Sequence, residues 1–184
     1  AGVNYFDLDF RDRKRQLNAF FGGVLGIVNY ADPRFLGTDF DLGADLFVFA
    51  IPLSDTVYRN DEEVPGEEVK SLPARISANL GHPLGPYGKL GASYRLGYSN
   101  FQQGEDTAPG FALPSDHLEH RLGLDLQFSR AGYRLRLEGT LHRRSEWEPW
   151  GFPGNPEYDP DAKEFETWEV AASKNWYLPD FRKV

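Results

Sequence analysis

The sequence predicts an all-β protein, an antiparallel up-and-down β-barrel of about eight long strands. The main observation is an alternation of apolar and polar residues that repeatedly persists for ten residues or more. A second is the content of 15% aromatic residues, 19 glycines and 13 prolines, which is typical of β structure with many turns. A third is the stretch 117–144, where two alternating limbs flank Arg130-Ala131-Gly132 and therefore form a hairpin.

This hairpin separates apolar and charged side chains onto opposite faces. The apolar face is expected to carry leucines from both limbs, namely Leu122, Leu124, Leu126, Leu135 and Leu137. The opposite face is expected to carry charges of both signs, namely Arg121, Asp125, Arg134, Arg136 and Glu138. Which of these faces meets water decides the class of protein.

The same alternation predicts the other strands in chain order. They are expected over 4–11, 16–30, 38–50, 74–80, 89–99 and 165–176. The stretch 16–30 is apolar at both parities and contains three glycines, which favours one bulged strand over a helix. The stretch 38–50 alternates most regularly and places Asp39, Asp41 and Asp45 on its polar face.

The connections alternate between long and short from the third strand onward, within a single domain or barrel segment over 1–184. Long loops are expected over 52–73, 100–116 and 145–163, and short turns over 81–88, 129–132 and 178–180. This pattern is typical of transmembrane barrels. The short connection at 11–15 breaks it, because a single strand over 16–30 puts that connection on the long-loop side.

Composition excludes several classes of function. A net charge of −8 and a pI near 5.0 argue against a nucleic-acid partner. The absence of cysteine excludes disulfides, thiolate zinc sites and a cysteine nucleophile. No hydrolase, phosphate-loop or dinucleotide motif occurs, so neither catalytic residues nor a cofactor are expected. No His, Asp or Glu spacing predicts a metal site. A chain that opens at Ala1 without any methionine is expected to be processed or excised.

Alternation alone does not distinguish a membrane barrel from a soluble barrel or sandwich. The membrane barrel is favoured by long strands, by alternating connections and by aromatic residues near strand ends: Tyr94, Tyr98, Tyr133, Trp168 and Trp176. A transmembrane barrel would turn its charged face to the lumen. The expected lumen-facing residues are Asp39, Asp41, Asp45, Arg95, Arg121, Asp125, Arg134, Arg136 and Glu138. The alternative, a soluble module, would bury the apolar face instead.

Trp147 and Trp150 are the candidate interaction residues of the loop 145–163. They lie beside Arg and Glu residues in the stretch 142–150. Such aromatic side chains either stack on a sugar, as in a glycan-binding module, or hold the loop in place. The second interpretation, in which the two tryptophans sit at the bilayer rim or hold the loop in place, is favoured.

Several stretches resemble the barrel region of bacterial outer-membrane assembly factors of the BamA/TamA type. They are Asn4-Tyr-Phe-Asp-Leu-Asp-Phe10, Leu42-Gly-Ala-Asp-Leu-Phe47, Pro114-Ser-Asp-His-Leu-Glu-His120, His142-Arg-Arg-Ser-Glu-Trp-Glu-Pro-Trp-Gly151 and Trp176-Tyr-Leu-Pro-Asp-Phe181. The resemblance implies a middle segment of a larger barrel in the bacterial outer membrane. It also implies a role in protein insertion or translocation, with the lipid bilayer, other assembly components and client barrel proteins as partners. A passive porin-like barrel is the related alternative.

Overall fold

The computed structural model describes residues 1–11, 14–59 and 61–176. It is an all-β structure in which every strand pairing is antiparallel. The strands are β1 (Val3–Phe10), β2 (Arg15–Phe21), β3 (Leu25–Asp32), β4 (Asp41–Phe49), β5 (Leu53–Asp55), β6 (Tyr58–Arg59), β7 (Glu62–Glu63), β8 (Val69–Leu84), β9 (Gly88–Gln103), β10 (His117–Arg130), β11 (Tyr133–Arg144) and β12 (Glu164–Lys174). Two 3-10 turns are described, at Phe35–Gly37 and Pro160–Lys163.

One up-and-down sheet of ten strands contains all of these strands except β6 and β7. Its order is β1-β2-β3-β4-β8-β9-β10-β11-β12, with β5 paired to β8, while β6 and β7 form a separate ribbon. The predicted all-β, antiparallel up-and-down architecture is therefore confirmed. In the described residues β1 and β12 stay at opposite edges, so the sheet is open and not a closed barrel. The expected turn at 178–180 lies outside the described residues.

The single bulged strand predicted over 16–30 is wrong. The chain forms two strands there, β2 and β3, joined by a tight turn. Gly23 has a φ of +78°, which glycine adopts without strain, and the Gly22 amide donates to the Leu25 carbonyl at 2.8 Å. The turn accounts for part of the apolar residues at both parities, because the strand that follows it restarts the alternation. Phe20 and Ile27 remain on the face that carries the polar residues of these two strands.

The bounds of two predicted loops and one predicted turn also need correction. The loop 52–73 ends at Glu68, because β8 starts at Val69 and its first residues pair with β5. The loop 100–116 starts only after Gln103, and the turn 81–88 is reduced to the residues between Leu84 and Gly88. These strand ends are polar or contain proline, so they lack the alternation that marks a strand in sequence.

With the hairpin of β2 and β3 included, the long connections lie at one end of the sheet and the short connections after β1, β8 and β10 lie at the other. The long connections after β4, β9 and β11 share one end, here called the loop end. The short connections after β1, β8 and β10 share the other, here called the turn end. The connection between β1 and β2 therefore lies on the short side, contrary to the sequence-based expectation. The β2–β3 turn is now the short connection at the loop end.

The sheet has no apolar core between two layers. In the described part of the chain Phe111, near the loop end, is the one buried apolar side chain, at 7% exposure. The other buried residues there are the polar Asp32, Glu67 and His117 and four glycines, Gly81, Gly91, Gly123 and Gly151. Large apolar side chains are instead exposed along most strands. None of the described helical segments has the length and apolar character needed to cross a membrane.

Candidate functional site

Polar side chains from five neighbouring strands lie side by side on one face of the sheet. Asp45, Ser77, Arg95, Arg121 and His142 are directly opposite one another on β4, β8, β9, β10 and β11. Directly opposite residues of an antiparallel pair project to the same side. These five residues therefore define what is called here the polar face.

The register places eight of the nine expected lumen-facing residues on this polar face. They are Asp41, Asp45, Arg95, Arg121, Asp125, Arg134, Arg136 and Glu138. The ninth, Asp39, is exposed in the connection before β4 and belongs to no strand. The sequence pattern thus assigns strand residues to the correct face. It does not apply to Asp39, which lies just outside a strand.

The polar face is the concave side of the sheet. Side chains from β4 to β12, including Asp45 and Thr167, line one groove of about 280 Å³, here called the polar groove. In a flat sheet five strand spacings would separate these two strands by about 24 Å, too far for a groove of this size. Gly91 supports the tight inner packing, because a Cβ there would overlap the Asp125 carboxylate.

Glu119 is the centre of an ion-pair network at the loop end of the polar face. Its carboxylate lies 2.5 Å from Arg121 Nε, 3.0 Å from His142 Nδ1 and 3.6 Å from Arg144 Nε. The His142 ring is held further by Thr167 Oγ1, 3.1 Å from its Nε2. Sequence reasoning did not select Glu119, His142 or Arg144, although their parity matches that of Arg121 and Arg136.

Other acids of the polar face also have partners from the same face. Asp41 pairs with Lys89 at 2.9 Å, and Glu138 pairs with Arg136 at 2.6 Å. Asp45 accepts a hydrogen bond of 2.7 Å from Asn29 and a longer one from Ser77. Local pairing of this kind compensates charges that share a concave surface.

The opposite face of the sheet, here called the apolar face, is exposed. Leu124 on β10 is 62% exposed and Trp168 on β12 is 79% exposed, and no second layer covers either residue. On β12 this apolar stretch is bounded by Glu166 at one end and by Lys174 at the other. The result is an apolar band with charged borders.

Trp147 is packed within the loops at the loop end. Its Nε1 donates to the Asp159 carbonyl at 2.6 Å, and the Arg144 guanidinium lies 4.2 Å from its ring centroid. Tyr158 stacks on the same ring. These contacts favour the interpretation in which Trp147 holds the loop in place.

Trp150 is placed differently. It lines a shallow pocket of about 260 Å³ together with Phe152 and Tyr158. Its Nε1 is buried and has no hydrogen-bond partner in the described structure. The two tryptophans therefore do not form one binding surface.

Comparison with family models, with curated proteins and with solved structures finds no match for this chain. Across the described ranges, no group of three or more His, Asp or Glu side chains is arranged to hold a metal ion.

Proposed function

We propose that this chain is part of a transmembrane β-barrel of the bacterial outer membrane. In this proposal the apolar face contacts lipid and the polar groove belongs to the lumen. Further strands beside β1 and β12 would close the barrel. Such a barrel has no free edges, which removes the unpaired backbone groups that lipid cannot solvate.

The observation that carries this proposal is the inverted burial of the sheet. Leucines of the apolar face are exposed while Glu119 and His142, on the polar face, retain only about a tenth of their side-chain exposure, 12% and 9%. Soluble proteins rarely expose a continuous apolar surface of this extent. In a lipid bilayer the exposed leucines would contact acyl chains instead of water, and the charged side chains would face the aqueous lumen.

The slant of the charged border gives independent support. Asp32 on β3 shares a cross-strand row with Trp168 on β12. On β12, however, the charged border towards the turn end is Lys174, six residues further along. Six residues correspond to a displacement of the border of about 20 Å along the strand direction. Over six strand spacings of about 4.8 Å, this displacement corresponds to a strand tilt of roughly 35°. Strands of membrane barrels tilt by about 35–45°, and a flat bilayer border would cross them at this slant.

The width of the apolar band fits the same environment. On β10 the side chains of this face remain apolar from Leu118 to Phe128, apart from His120, which contacts the hydroxyl group of Tyr94. Ten residue steps of about 3.3 Å span about 33 Å along the strand. At the tilt of roughly 35° this projects to about 27 Å, close to the apolar band of about 25 Å in membrane barrels.

The turn-end border also has the side chains of a membrane interface. Lys174 Nζ lies 3.4 Å from the Tyr133 ring centroid and 5.3 Å from that of Trp176. Amphipathic aromatic rings beside a lysine are typical of the level of lipid headgroups. In this proposal the turn end lies at one bilayer surface and the loops extend beyond the other.

The specific role proposed is insertion or translocation of other outer-membrane proteins. This part of the proposal is supported by the resemblance to assembly factors of the BamA/TamA type. For this role a strand such as β12 would separate from its neighbour in the closed barrel and pair with a strand of a client barrel through backbone hydrogen bonds. The partners would be client barrel proteins and other assembly components.

The membrane placement is tested with single cysteines, because the natural chain has none. Leu124→Cys on the apolar face and Gln127→Cys on the polar face lie on the same strand and serve as a matched pair. Each is labelled with an environment-sensitive fluorophore after reconstitution into vesicles that contain brominated lipid. Quenching at position 124 but not at 127 is expected.

Equal quenching at both positions, or none at either, would contradict the placement. A monodisperse monomer in buffer without detergent would contradict it as well and would favour a soluble module. Co-purification of the reconstituted protein with assembly components separates the assembly role from a passive barrel. A folded barrel that retains no such component would leave only the passive role.

A further inference from the structure

We propose that the polar groove binds a small oxyanion, a phosphate or carboxylate group, through Arg95 and Arg121. The two arginines are directly opposite each other on β9 and β10, and both line the groove. Like charges at such positions destabilise a sheet unless an anion lies between them. Arg95 forms no ion pair or hydrogen bond with any described residue, so no carboxylate of the sheet fills that position.

The acids near the arginine pair are already engaged. Glu138 lies 2.6 Å from Arg136, and Asp45 accepts hydrogen bonds from Asn29 and Ser77. Glu119 is shared by two arginines and the His142 ring. None of these carboxylates contacts Arg95 in the described structure, and each would lose existing partners by moving towards it.

The groove therefore offers an excess of hydrogen-bond donors. Arg121 donates a hydrogen bond from Nε to the Glu119 carboxylate. The contacts described for Arg121 leave its two terminal amino groups without a partner. The whole guanidinium of Arg95 is unused as well. Guanidinium groups bind phosphate and carboxylate through paired N–H donors, which gives these oxyanions a geometric advantage over chloride.

Space beside the pair is provided by glycine. Gly97 follows Arg95 by two residues on the same face. A Cβ at Gly97 would have its nearest neighbour only at 3.9 Å, the Glu119 carbonyl oxygen. An oxyanion beside Arg95 would therefore meet no side chain from that position.

The net charge of the chain means that an oxyanion would bind only at a specific site. With a net charge of −8 the protein as a whole repels anions. Retention of an oxyanion would thus require a site, and the arginine pair is where the polar face supplies one. This inference does not depend on the membrane placement, because the groove is formed by the sheet itself.

The test uses the full chain, folded in detergent, with inorganic phosphate and acetate as separate probes. Binding is followed through the NMR signals of the arginine Nε–H groups at constant ionic strength, with chloride as the balancing anion. Saturable shifts at Arg95 and Arg121 are expected for phosphate, acetate or both. The probe that saturates at lower concentration identifies the preferred group.

Arg95→Gln is expected to weaken binding by about tenfold or more, since charge-assisted hydrogen bonds are lost. Arg134→Gln is the matched control, because Arg134 also lies on the polar face, has no described ion pair and does not line the groove. It should bind as the natural chain does. Equal losses in both variants, an unchanged Arg95→Gln variant, or shifts that chloride alone reproduces would overturn the proposal.

Circular dichroism of each variant confirms that the sheet has formed. Arg95→Lys retains the positive charge, and its binding is expected to be intermediate.

Discussion

Arg15 Nε lies 2.8 Å from Asp32 Oδ2 across β2 and β3, and Asp32 is only 2% exposed. The same carboxylate accepts a hydrogen bond of 3.1 Å from the Arg34 amide and a weaker one from the Tyr30 hydroxyl. A buried carboxylate with one cation and two further donors is stabilised only as long as these partners remain. This pair marks the turn-end border of the apolar face on β3.

Asp32→Asn should lower the free energy of unfolding by roughly 3 kcal/mol, because it removes the buried carboxylate that pairs with the half-buried Arg15. Asp39→Asn makes the same chemical change at an exposed site outside the strands and should have an effect below about 0.5 kcal/mol. Urea unfolding followed by tryptophan fluorescence measures both. Equal effects of the two substitutions would contradict the importance of the pair.

Glu119→Gln should also destabilise the sheet, by about 2–4 kcal/mol, because Arg121 and Arg144 would lose the carboxylate that they share. Its control is Glu169→Gln, an exposed residue on the same face of β12. The readout is the denaturant midpoint, with hydrogen exchange along β10 and β11 to locate the effect. A midpoint unchanged by Glu119→Gln would show that the network adds no stability.

The region around Glu68 is expected to weaken in acid. A hydrogen bond from the Ser54 hydroxyl, and then one from the Asp106 amide, lower the pKa of the Glu68 carboxyl below its usual value. A carboxyl with a lower pKa in the folded state contributes stability that is fully present above its unfolded pKa. That stability is lost as the pH falls through the folded pKa.

The protection of the Asp106 amide, measured as its exchange rate relative to that of an unstructured peptide at the same pH, should therefore decrease below about pH 4.5, the range in which a glutamate becomes protonated. Glu68→Gln should exchange faster at neutral pH and lose this acid dependence. Glu62→Gln, on the exposed strand β7, should retain it. The same acid dependence in the Glu68→Gln protein would assign the effect to another group.

Two glycines of β9 should respond differently to alanine. A Cβ at Gly91 would overlap the Asp125 carboxylate, whereas one at Gly97 would have no neighbour closer than 3.9 Å. Gly91→Ala should cost about 1–3 kcal/mol through overpacking. Gly97→Ala should be neutral or stabilise the fold by up to about 1 kcal/mol, because alanine restricts the unfolded chain. Similar unfolding midpoints for the two variants would argue against a crowded concave face.

Much of the strand pattern could be predicted from sequence. The hairpin of β10 and β11 and the polar faces of β4 and β9 follow from a local period of two. Gln16 to Tyr30 could not be resolved in this way, because apolar residues at both parities conceal a turn between two strands. The polar outer ends of β8 and β9 were missed since they lack alternation.

The sequence by itself determined which side chains share a face within each strand, because that depends only on the local backbone. Only the tertiary structure decided the register between strands, since hydrogen bonds between distant segments set it. That register joins Glu119 to His142, places Arg95 opposite Arg121 and slants the border from Asp32 to Lys174. The curvature of the sheet is also a tertiary property. It brings charged side chains of the polar face close together, and glycine at positions such as Gly91 leaves room for them.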